Sequence, residues 1–331
     1  MNFTLETAVL AALLSFVVNL ILCPLLIPVL KRVKFGQHVR DDGPKSHLKK
    51  SGTPTMGGII ILISFILGSA MFLRGNVTGM LVMFVTLAFG LIGFIDDYIK
   101  VVKKRSLGFR AKPKFLLQLV AAGIFLFLLA ELTDGNYQQF IVPFTSHRLD
   151  IGVFFIPVTL FIILGTVNGV NLTDGLDGLA TGVTVLVATF FVLAAYGMRS
   201  NDILPIAGAA VGSLLGFLLF NTYPAKVFMG DTGSLALGGF IAAIAVVLQM
   251  PLFLVIVGLV YVLETLSVII QVLYFRATKG KRFFKMAPLH HHFELSGMTE
   301  SKVVIVFYLI TVVMVFVGFL ATRGMIGGYG Y

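Results

Sequence analysis

VFFIPVTLFIILGTVNGVNLTDGLDGLATGVTVLVATFFVLAAYG, residues 153–197, decides the fold because it contains two apolar spans with almost no loop between them. The runs at 153–170 and 176–197 are each about 20 residues long, which is the length that an α-helix needs to cross a bilayer. The junction of the two runs is polar and carries Asp174 and Asp177. We therefore predict two membrane helices that meet at a polar turn.

Apolar runs of this length recur along the whole chain of 331 residues, of which 58% are hydrophobic and 12% charged. This composition excludes an ordinary water-soluble domain, and the longest polar stretches are short enough to be loops. We predict an all-α integral membrane protein with a single polytopic domain over 1–331. Hydropathy and turn residues predict about ten transmembrane helices, at 5–30, 56–73, 78–95, 115–133, 153–170, 176–197, 203–221, 233–249, 252–275 and 303–322.

The placement of lysine and arginine orients these spans. Five alternate loops hold 21 of the 25 basic residues; they are 31–55, 96–114, 171–175, 222–232 and 275–302. Short cytoplasmic loops hold most of the basic residues of a membrane protein, so we expect these loops in the cytoplasm and both termini outside. The net charge of +10 lies beside membrane spans, where anionic lipid headgroups account for it better than nucleic acid does.

Five aspartates lie at the ends of these spans, and the loop count puts all five on the cytoplasmic face. They are Asp96, Asp97, Asp174, Asp177 and Asp231. Carboxylates are costly near a bilayer and the chain has only 15 acidic residues, so their grouping favours a functional site. The adjacent pair at 96–97 could share a cation, or it could be a solvated helix end that pairs with Lys100, Lys103 and Lys104.

The junction of the fifth and sixth spans carries a row of polar residues. Asn168, Asn171, Asp174 and Asp177 recur every three residues, so in a helix they would share one face. Such a face at the membrane edge has to line a cavity or contact a partner. The alternative is a capped turn, with Thr173 or Asp174 as the N-cap of the sixth span, but capping explains one of the four residues.

Asp231 precedes the eighth span and has Gly230, Gly233 and Ser234 around it. A glycine-lined helix N-terminus offers free N–H groups and the positive end of the helix dipole, which suit a phosphate. Magnesium prefers one or two carboxylates, waters and phosphate oxygens, so Asp231 is the candidate metal ligand. The alternative is an N-cap followed by a seam of small residues.

The last polar loop contains three consecutive histidines, His290, His291 and His292. Neighbours in sequence point in different directions, so a zinc site is less suitable than contacts with phosphate or sugar oxygens. In the ninth span Glu264 is the buried acid and Gln271 lies on the same helix face. An interhelical hydrogen bond is the expected role of Glu264.

Over nearly its whole length the chain resembles the phospho-N-acetylmuramoyl-pentapeptide transferases, which are bacterial integral-membrane enzymes. The motifs that carry the resemblance are KFGQHVRDDGPKSH at 34–47, SGTPTMGG at 51–58, FIDDYIK at 94–100, GVNLTDGLDGLA at 169–180, FNTYPAKVFMGDTGSLALGG at 220–239, ETLSVIIQV at 264–272 and MAPLHHHFEL at 286–295. The aspartate motifs belong to the wider superfamily of polyprenyl-phosphate sugar-1-phosphate transferases. GTPTMGG and MAPLHHHFE are narrower and favour this family.

The resemblance implies transfer of phospho-MurNAc-pentapeptide from UDP-MurNAc-pentapeptide to undecaprenyl phosphate, giving lipid I and UMP in peptidoglycan synthesis at the bacterial inner (plasma) membrane. It implies Mg2+ at Asp231, catalytic roles for Asp96, Asp97, Asp231 and His290, and the Asp96–Asp97 pair near the lipid phosphate. Membrane lipids are expected partners, nucleic acid is not, and a homodimer is left open. The substrate-binding residues that it implies are Lys50, Thr55, Lys112, Asn171, Asp174, Asp177, Asn221, Phe228, Gly230, Ser234, Gln271, His291 and His292.

Several alternatives stay open at this level. Attack can be direct and in line, or it can pass through an aspartyl-phosphate on Asp96 or Asp97; one displacement inverts a chiral phosphorus and two retain it. A sister transferase would use a UDP-N-acetylhexosamine instead. A secondary transporter would need acids near the midplane of the spans and an internal repeat, and a lipid-binding scaffold would not need a metal ligand.

Overall fold

A computed structural model of the chain describes residues 4–32, 50, 52–102, 108–133, 135 and 137–323. Within them, nine helices are long and apolar enough to cross a membrane, which confirms the prediction of an all-α integral membrane protein. The helices are α1 Leu5–Arg32, α2 Gly58–Ser69, α3 Val77–Val102, α4 Ala111–Leu132, α5 Phe155–Thr173, α6 Leu179–Gly197, α7 Leu204–Asn221, α8 Gly230–Val247, α9 Leu254–Val257, α10 Leu259–Ala277, α11 Leu289–Leu295 and α12 Glu300–Ala321.

The predicted second and ninth spans differ from the structure. α2 and the 3-10 turn that follows it cover Gly58–Phe72, which is shorter than the other spans. It begins late because the backbone before it bonds to another loop instead of continuing the helix: the N–H of Phe228 donates to the carbonyl of Pro54. The ninth span is interrupted at Gly258, which separates α9 from α10.

Two helices continue through the charged residues at which hydropathy places their ends. α3 runs to Val102, so Asp96 and Asp97 lie inside the helix rather than after it. α8 begins at Gly230, so Asp231 is in its first turn. Hydropathy marks where the apolar residues of a span end. Backbone hydrogen bonds continue the helix past that point, and contacts with residues far away in sequence hold the extra turn in place.

A short antiparallel hairpin, which the sequence did not suggest, joins α4 to α5. β1 Gln139–Ile141 pairs with β2 Arg148–Asp150. The N–H of Ile141 donates to the carbonyl of Gln249, just beyond the C-terminal end of α8. The hairpin therefore lies at the opposite end of α8 from Asp231.

α8 is the central helix, with 94% of its residues buried. Small residues let its neighbours approach: a Cβ added to Gly238 would lie 2.5 Å from the Cα of Val167 on α5, and one added to Gly239 would lie 2.5 Å from the ring of Phe89 on α3. α1, α10 and α12 lie outside, and fewer than a third of their residues are buried in the protein, as expected of helices in contact with lipid. This packing brings the C-terminal ends of α3 and α5 to the N-terminal end of α8.

Candidate active site

Three of the five aspartates form one cluster at the N-terminal end of α8. Ligand oxygens of Asp96, Asp97 and Asp231 lie within 4.8 Å of one another. α3 can come this close because residue 93 is glycine: a Cβ there would lie 2.1 Å from the carbonyl oxygen of Asp231. Asp96 and Asp97 are only 2% and 3% exposed, so the pair is not a solvated helix end.

Asp97 holds the first turn of α8. Its Oδ1 accepts the N–H of Asp231 at 3.1 Å, and its Oδ2 accepts the N–H and the hydroxyl of Thr232 at 2.9 and 2.7 Å. These backbone N–H groups have no partner within their own helix, so Asp97 caps α8 from α3. Asp231 itself is not the N-cap that one interpretation of the sequence suggested, and its carboxylate points into the cluster.

Two lysines offset part of the negative charge of the three carboxylates. The Nζ of Lys100 lies 2.5 Å from Oδ2 of Asp96 and 3.0 Å from Oδ2 of Asp231. The Nζ of Lys114, on α4, lies 2.5 Å from Oδ2 of Asp231 and 3.7 Å from Oδ2 of Asp96. The pairs are partly shielded from water, so these attractions are stronger than those of exposed ion pairs.

The donor set fits magnesium. Mg2+ binds hard oxygen ligands and keeps several waters, and three carboxylates this close together repel one another unless cations lie between them. The two carboxylate oxygens of Asp231 have different partners: Oδ2 contacts both lysines, while Oδ1 accepts a hydrogen bond from the side-chain amide of Asn171 at 3.2 Å. A metal bound to Asp231 would therefore bind carboxylate oxygens that also contact Lys100 and Lys114.

The four polar residues that recur every three positions, from Asn168 to Asp177, do not share one set of contacts. Asn171 also donates to the hydroxyl of Ser234 at 2.8 Å, and Asn168 donates to Oε1 of Gln118 at 2.9 Å. α5 ends at Thr173, so Asp177 lies in the turn after the helix and not on its polar face. The N-cap of α6 is Gly178 with φ +78°, so the capping alternative for Thr173 or Asp174 is wrong.

Asp174 lies half-buried at the end of α5. Desolvation by the surrounding protein, and then the negative charges of Asp231, Asp97 and Asp177, raise its pKa well above the ordinary value. A carboxyl group in this position favours a proton, a cation or a hydrogen-bond donor of a substrate.

A second charged group contains Asp177. The Nζ of Lys50 lies 2.7 Å from Oδ1 of Asp177 and 2.5 Å from Oε1 of Glu300, in the first turn of α12. The same ammonium lies 6.0 Å from the centre of the Phe228 ring. Asn221 shapes the loop that carries Phe228, because its amide donates to the carbonyl of Val227 at 2.9 Å.

A backbone ladder joins the start of α2 to the loop before α8. The N–H groups of Gly57 and Gly58 donate to the carbonyls of Phe228 and Met229 at 2.8 and 2.9 Å. Thr55 is buried at this junction beside Gly230, where an added Cβ would lie 2.8 Å from the Thr55 hydroxyl. Gly230 has φ +70°, a conformation that favours glycine.

The three histidines point in different directions, as expected. His290 is buried against Gly175, where an added Cβ would lie 2.1 Å from its Nε2, and its Nδ1 lies 3.1 Å from Oε1 of Glu264. His291 pairs with Glu294 at 2.9 Å, and Nδ1 of His292 accepts the N–H of Lys285 at 3.2 Å.

The hydrogen bond expected of Glu264 is confirmed, because its carboxylate accepts the N–H of Leu289 at 2.7 Å and thereby holds α11 against α10. Gln271 supports the loop between these helices: its Oε1 accepts the N–H groups of Phe283 and Phe284 at 3.2 and 2.9 Å. Both side chains of α10 therefore position the segment that carries the histidines.

Sequence reasoning missed some residues of the site. Lys112 is exposed in the first turn of α4, whereas Lys114, two residues later, contacts Asp231. The available signal was the spacing of Lys114 and Gln118, two polar residues four apart in a helix whose other charged residues, Lys112 and Glu131, lie next to its ends. Glu300 was not singled out at all. The motif at 34–47, like Lys103 and Lys104, lies outside the described residues.

Comparisons with known proteins show the family of this chain. The family model for glycosyl transferase family 4 matches residues 77–249, just over half of the chain, and the phospho-N-acetylmuramoyl-pentapeptide-transferase signature 1 matches residues 50–62. Relatives named phospho-N-acetylmuramoyl-pentapeptide-transferase include those of Acetivibrio thermocellus (51% identical, 97% of each chain covered), Desulforamulus reducens (52%, 95% of each) and Clostridium kluyveri (49%, 94% of this chain and 98% of the relative). The chain therefore belongs to the phospho-N-acetylmuramoyl-pentapeptide transferase family, and it is a phosphoglycosyl transferase of a bacterial membrane.

Proposed function

We propose that this protein transfers phospho-MurNAc-pentapeptide from UDP-MurNAc-pentapeptide to undecaprenyl phosphate, releasing UMP and forming lipid I for peptidoglycan synthesis. The observation that carries the proposal is the position of the signature segment 50–62. Through Lys50 and the backbone ladder it is built into the same site as the acidic cluster. A substrate that reaches both charged groups needs a nucleotide end and a phosphate end, as a nucleotide-linked sugar has.

Asp231, with Asp96 and Asp97 beside it, would hold Mg2+, which supplies positive charge where a phosphate dianion approaches a pyrophosphate. Lys100 and Lys114 add two ammonium groups at the same carboxylates. Phosphoryl transfer depends mainly on positioning and on cancelling charge, so these lysines are suited to stabilise the leaving UMP.

Direct in-line attack by the lipid phosphate is the mechanism that this geometry favours. The acceptor has its second pKa near 6, so it is largely a dianion at neutral pH and needs little help from a base. Both carboxylates that a two-step route could use are already engaged: Asp97 accepts three hydrogen bonds from the first turn of α8, and Asp96 accepts the N–H of Phe109 and pairs with Lys100. A single displacement predicts inversion at a chiral phosphorus.

The proposal is tested with purified protein, Mg2+, undecaprenyl phosphate and UDP-MurNAc-pentapeptide. We expect release of UMP, which EDTA stops and added Mg2+ restores. Asp231→Asn should lower turnover at least 100-fold without unfolding the protein, because Asn keeps the shape of the side chain but loses the charge that a metal and two lysines require.

Asp202→Asn is the matched control, since Asp202 lies in the 3-10 turn before α7, away from the cluster. Near-normal turnover by Asp231→Asn would remove the metal role from that residue. Consumption of UDP-N-acetylglucosamine in place of UDP-MurNAc-pentapeptide would make the protein a sister transferase and would overturn the substrate assignment alone.

A further inference from the structure

Lys50 is held by two carboxylates that come from distant parts of the chain. Its Nζ contacts Asp177, in the turn after α5, and Glu300, in the first turn of α12. The side chains of Lys50, Asp177 and Glu300 are only 14%, 3% and 8% exposed. Burial alone would lower the pKa of Lys50, but the hydrogen bonds that it donates to both carboxylates raise it.

Glu300 also binds the backbone of the turn. Its Oε1 accepts the N–H of Asp177 at 2.8 Å, in addition to the ammonium of Lys50. Further along α12, the hydroxyl of Tyr308 donates to the carbonyl of Gly178 at 2.6 Å. α12 therefore binds two consecutive residues of the turn, Asp177 and Gly178, and its Glu300 also contacts the ammonium of Lys50.

This group differs from the acidic cluster in what its charges can face. The one ammonium of Lys50 is already paired with two carboxylates, whereas the acidic cluster has two ammonium groups and a candidate cation site that would face phosphates. Phe228 adds an aromatic face 6.0 Å from the Lys50 ammonium. A flat ring beside fixed donors and acceptors suits the uncharged, hydrogen-bonding end of a nucleotide, while the phosphates lie toward Lys100 and Lys114.

We infer that Glu300 is a positioning residue for the nucleotide substrate: it fixes the direction of the Lys50 ammonium toward the nucleotide and takes no part in the chemical step. This inference rests on the proposed function, because it assumes a nucleotide-linked donor. It separates Glu300 from the acidic cluster, whose residues act on the phosphates.

Glu300→Gln is the informative substitution. The new amide oxygen can still accept the N–H of Asp177, while the charge that holds Lys50 is lost. We expect the KM for UDP-MurNAc-pentapeptide to rise about tenfold, the usual effect of losing one hydrogen bond to a charged group. The kcat and the KM for undecaprenyl phosphate should stay within about twofold, since the phosphate end of the site is untouched.

Two further variants separate positioning from general structure. In a Lys50→Met background, Glu300→Gln should add little to the KM; the same tenfold rise in both backgrounds would show that Glu300 does not act through Lys50. Glu6→Gln, which removes the first-turn acid of α1, is the matched control and should change nothing. An equal loss of kcat and thermal stability in Glu300→Gln would assign it a structural role and overturn the inference.

The affinity for UMP, measured by calorimetry, keeps this test independent of turnover. Weaker UMP binding by Glu300→Gln in a protein that transfers no sugar phosphate would support the inference and refute the proposed function. Unchanged UMP binding in an active enzyme would do the reverse. A fall in KM or in the Kd for UMP would mean that Glu300 competes with the substrate for Lys50, and would also overturn the inference.

Discussion

Lys112 and Lys114 are two residues apart on α4, yet Lys114 reaches Asp231 while Lys112 is exposed. Side chains two apart on a helix point to different faces, so a shift of two residues decides whether a charge enters the site. Family resemblance led to Lys112, whereas the packing of α4 against α3 and α5 places Lys114. Which lysine of α4 belongs to the site therefore depends on the helix face that each one occupies, and the sequence motif alone does not decide it.

Lys114→Met should lower kcat about 100-fold or more, because it removes one preorganised positive charge from the acidic cluster. Lys112→Met makes the same chemical change outside the cluster and should cost far less. UMP release by the two purified variants, compared at equal thermal stability, measures the difference. The opposite order of the two effects would return the substrate-binding role to Lys112.

The approach of α3 to α8 is the element-scale feature on which the cluster depends. Gly93 lies against the carbonyl of Asp231, and Gly58 of α2 lies against the backbone of Gly233, with an added Cβ only 2.1 Å from the nearest atom in each case. Backbones this close leave no room for a side chain. The three aspartates converge because glycines occupy the crossing points.

Gly93→Ala should separate α3 from the first turn of α8 and weaken the hold of Asp97 on Thr232. We expect a loss of turnover of at least tenfold and a lower Tm, since overpacking costs about 1–3 kcal/mol. Gly123→Ala is the matched control on α4, because nothing lies within 4 Å of the added Cβ. Normal activity of Gly93→Ala would show that the crossing tolerates a methyl group.

Hydropathy predicted most of the helices because a bilayer imposes a length and an apolar composition on each span. It did not predict that α3 and α8 continue through Asp96 and Asp231, or that Asp97 caps another helix, because those outcomes depend on contacts between residues far apart in sequence. The five aspartates were found from the pattern of span ends. The resemblance separated Asp231 and the Asp96–Asp97 pair from Asp174 and Asp177, but the packing was needed to show that Asp96, Asp97 and Asp231 form one cluster and that Asp177 pairs with Lys50.

At the scale of the whole molecule, α2 decides the topology. It starts beside the first turn of α8, and α3, which follows after a short turn, ends at the same place. α2 must therefore carry the chain away from the site face, although Gly58–Phe72 is short for a span. With α2 counted, the described residues contain ten candidate crossings. Ten is an even number, so we predict both termini on one side, and the placement of the basic loops predicts that this side is the outside.

Alkaline phosphatase fused at the C-terminus should consequently be active, and green fluorescent protein fused at the same point should be dark. The same pair of reporters at the N-terminus should give the same result, because ten crossings return the chain to its starting side. Opposite signals at the two ends would mean that α2 does not cross. A fusion within the loop before α8 is the internal control and should report the cytoplasm.

The backbone ladder between 54–58 and 228–229 also has a consequence in time. The two segments of the ladder are about 170 residues apart in sequence. A ribosome that adds about 10 residues per second makes the second segment on the order of 17 s after the first. Until then α2 lacks the partner that fixes its start. The site is therefore completed late in synthesis, and a chain that stops before α8 has no assembled cluster.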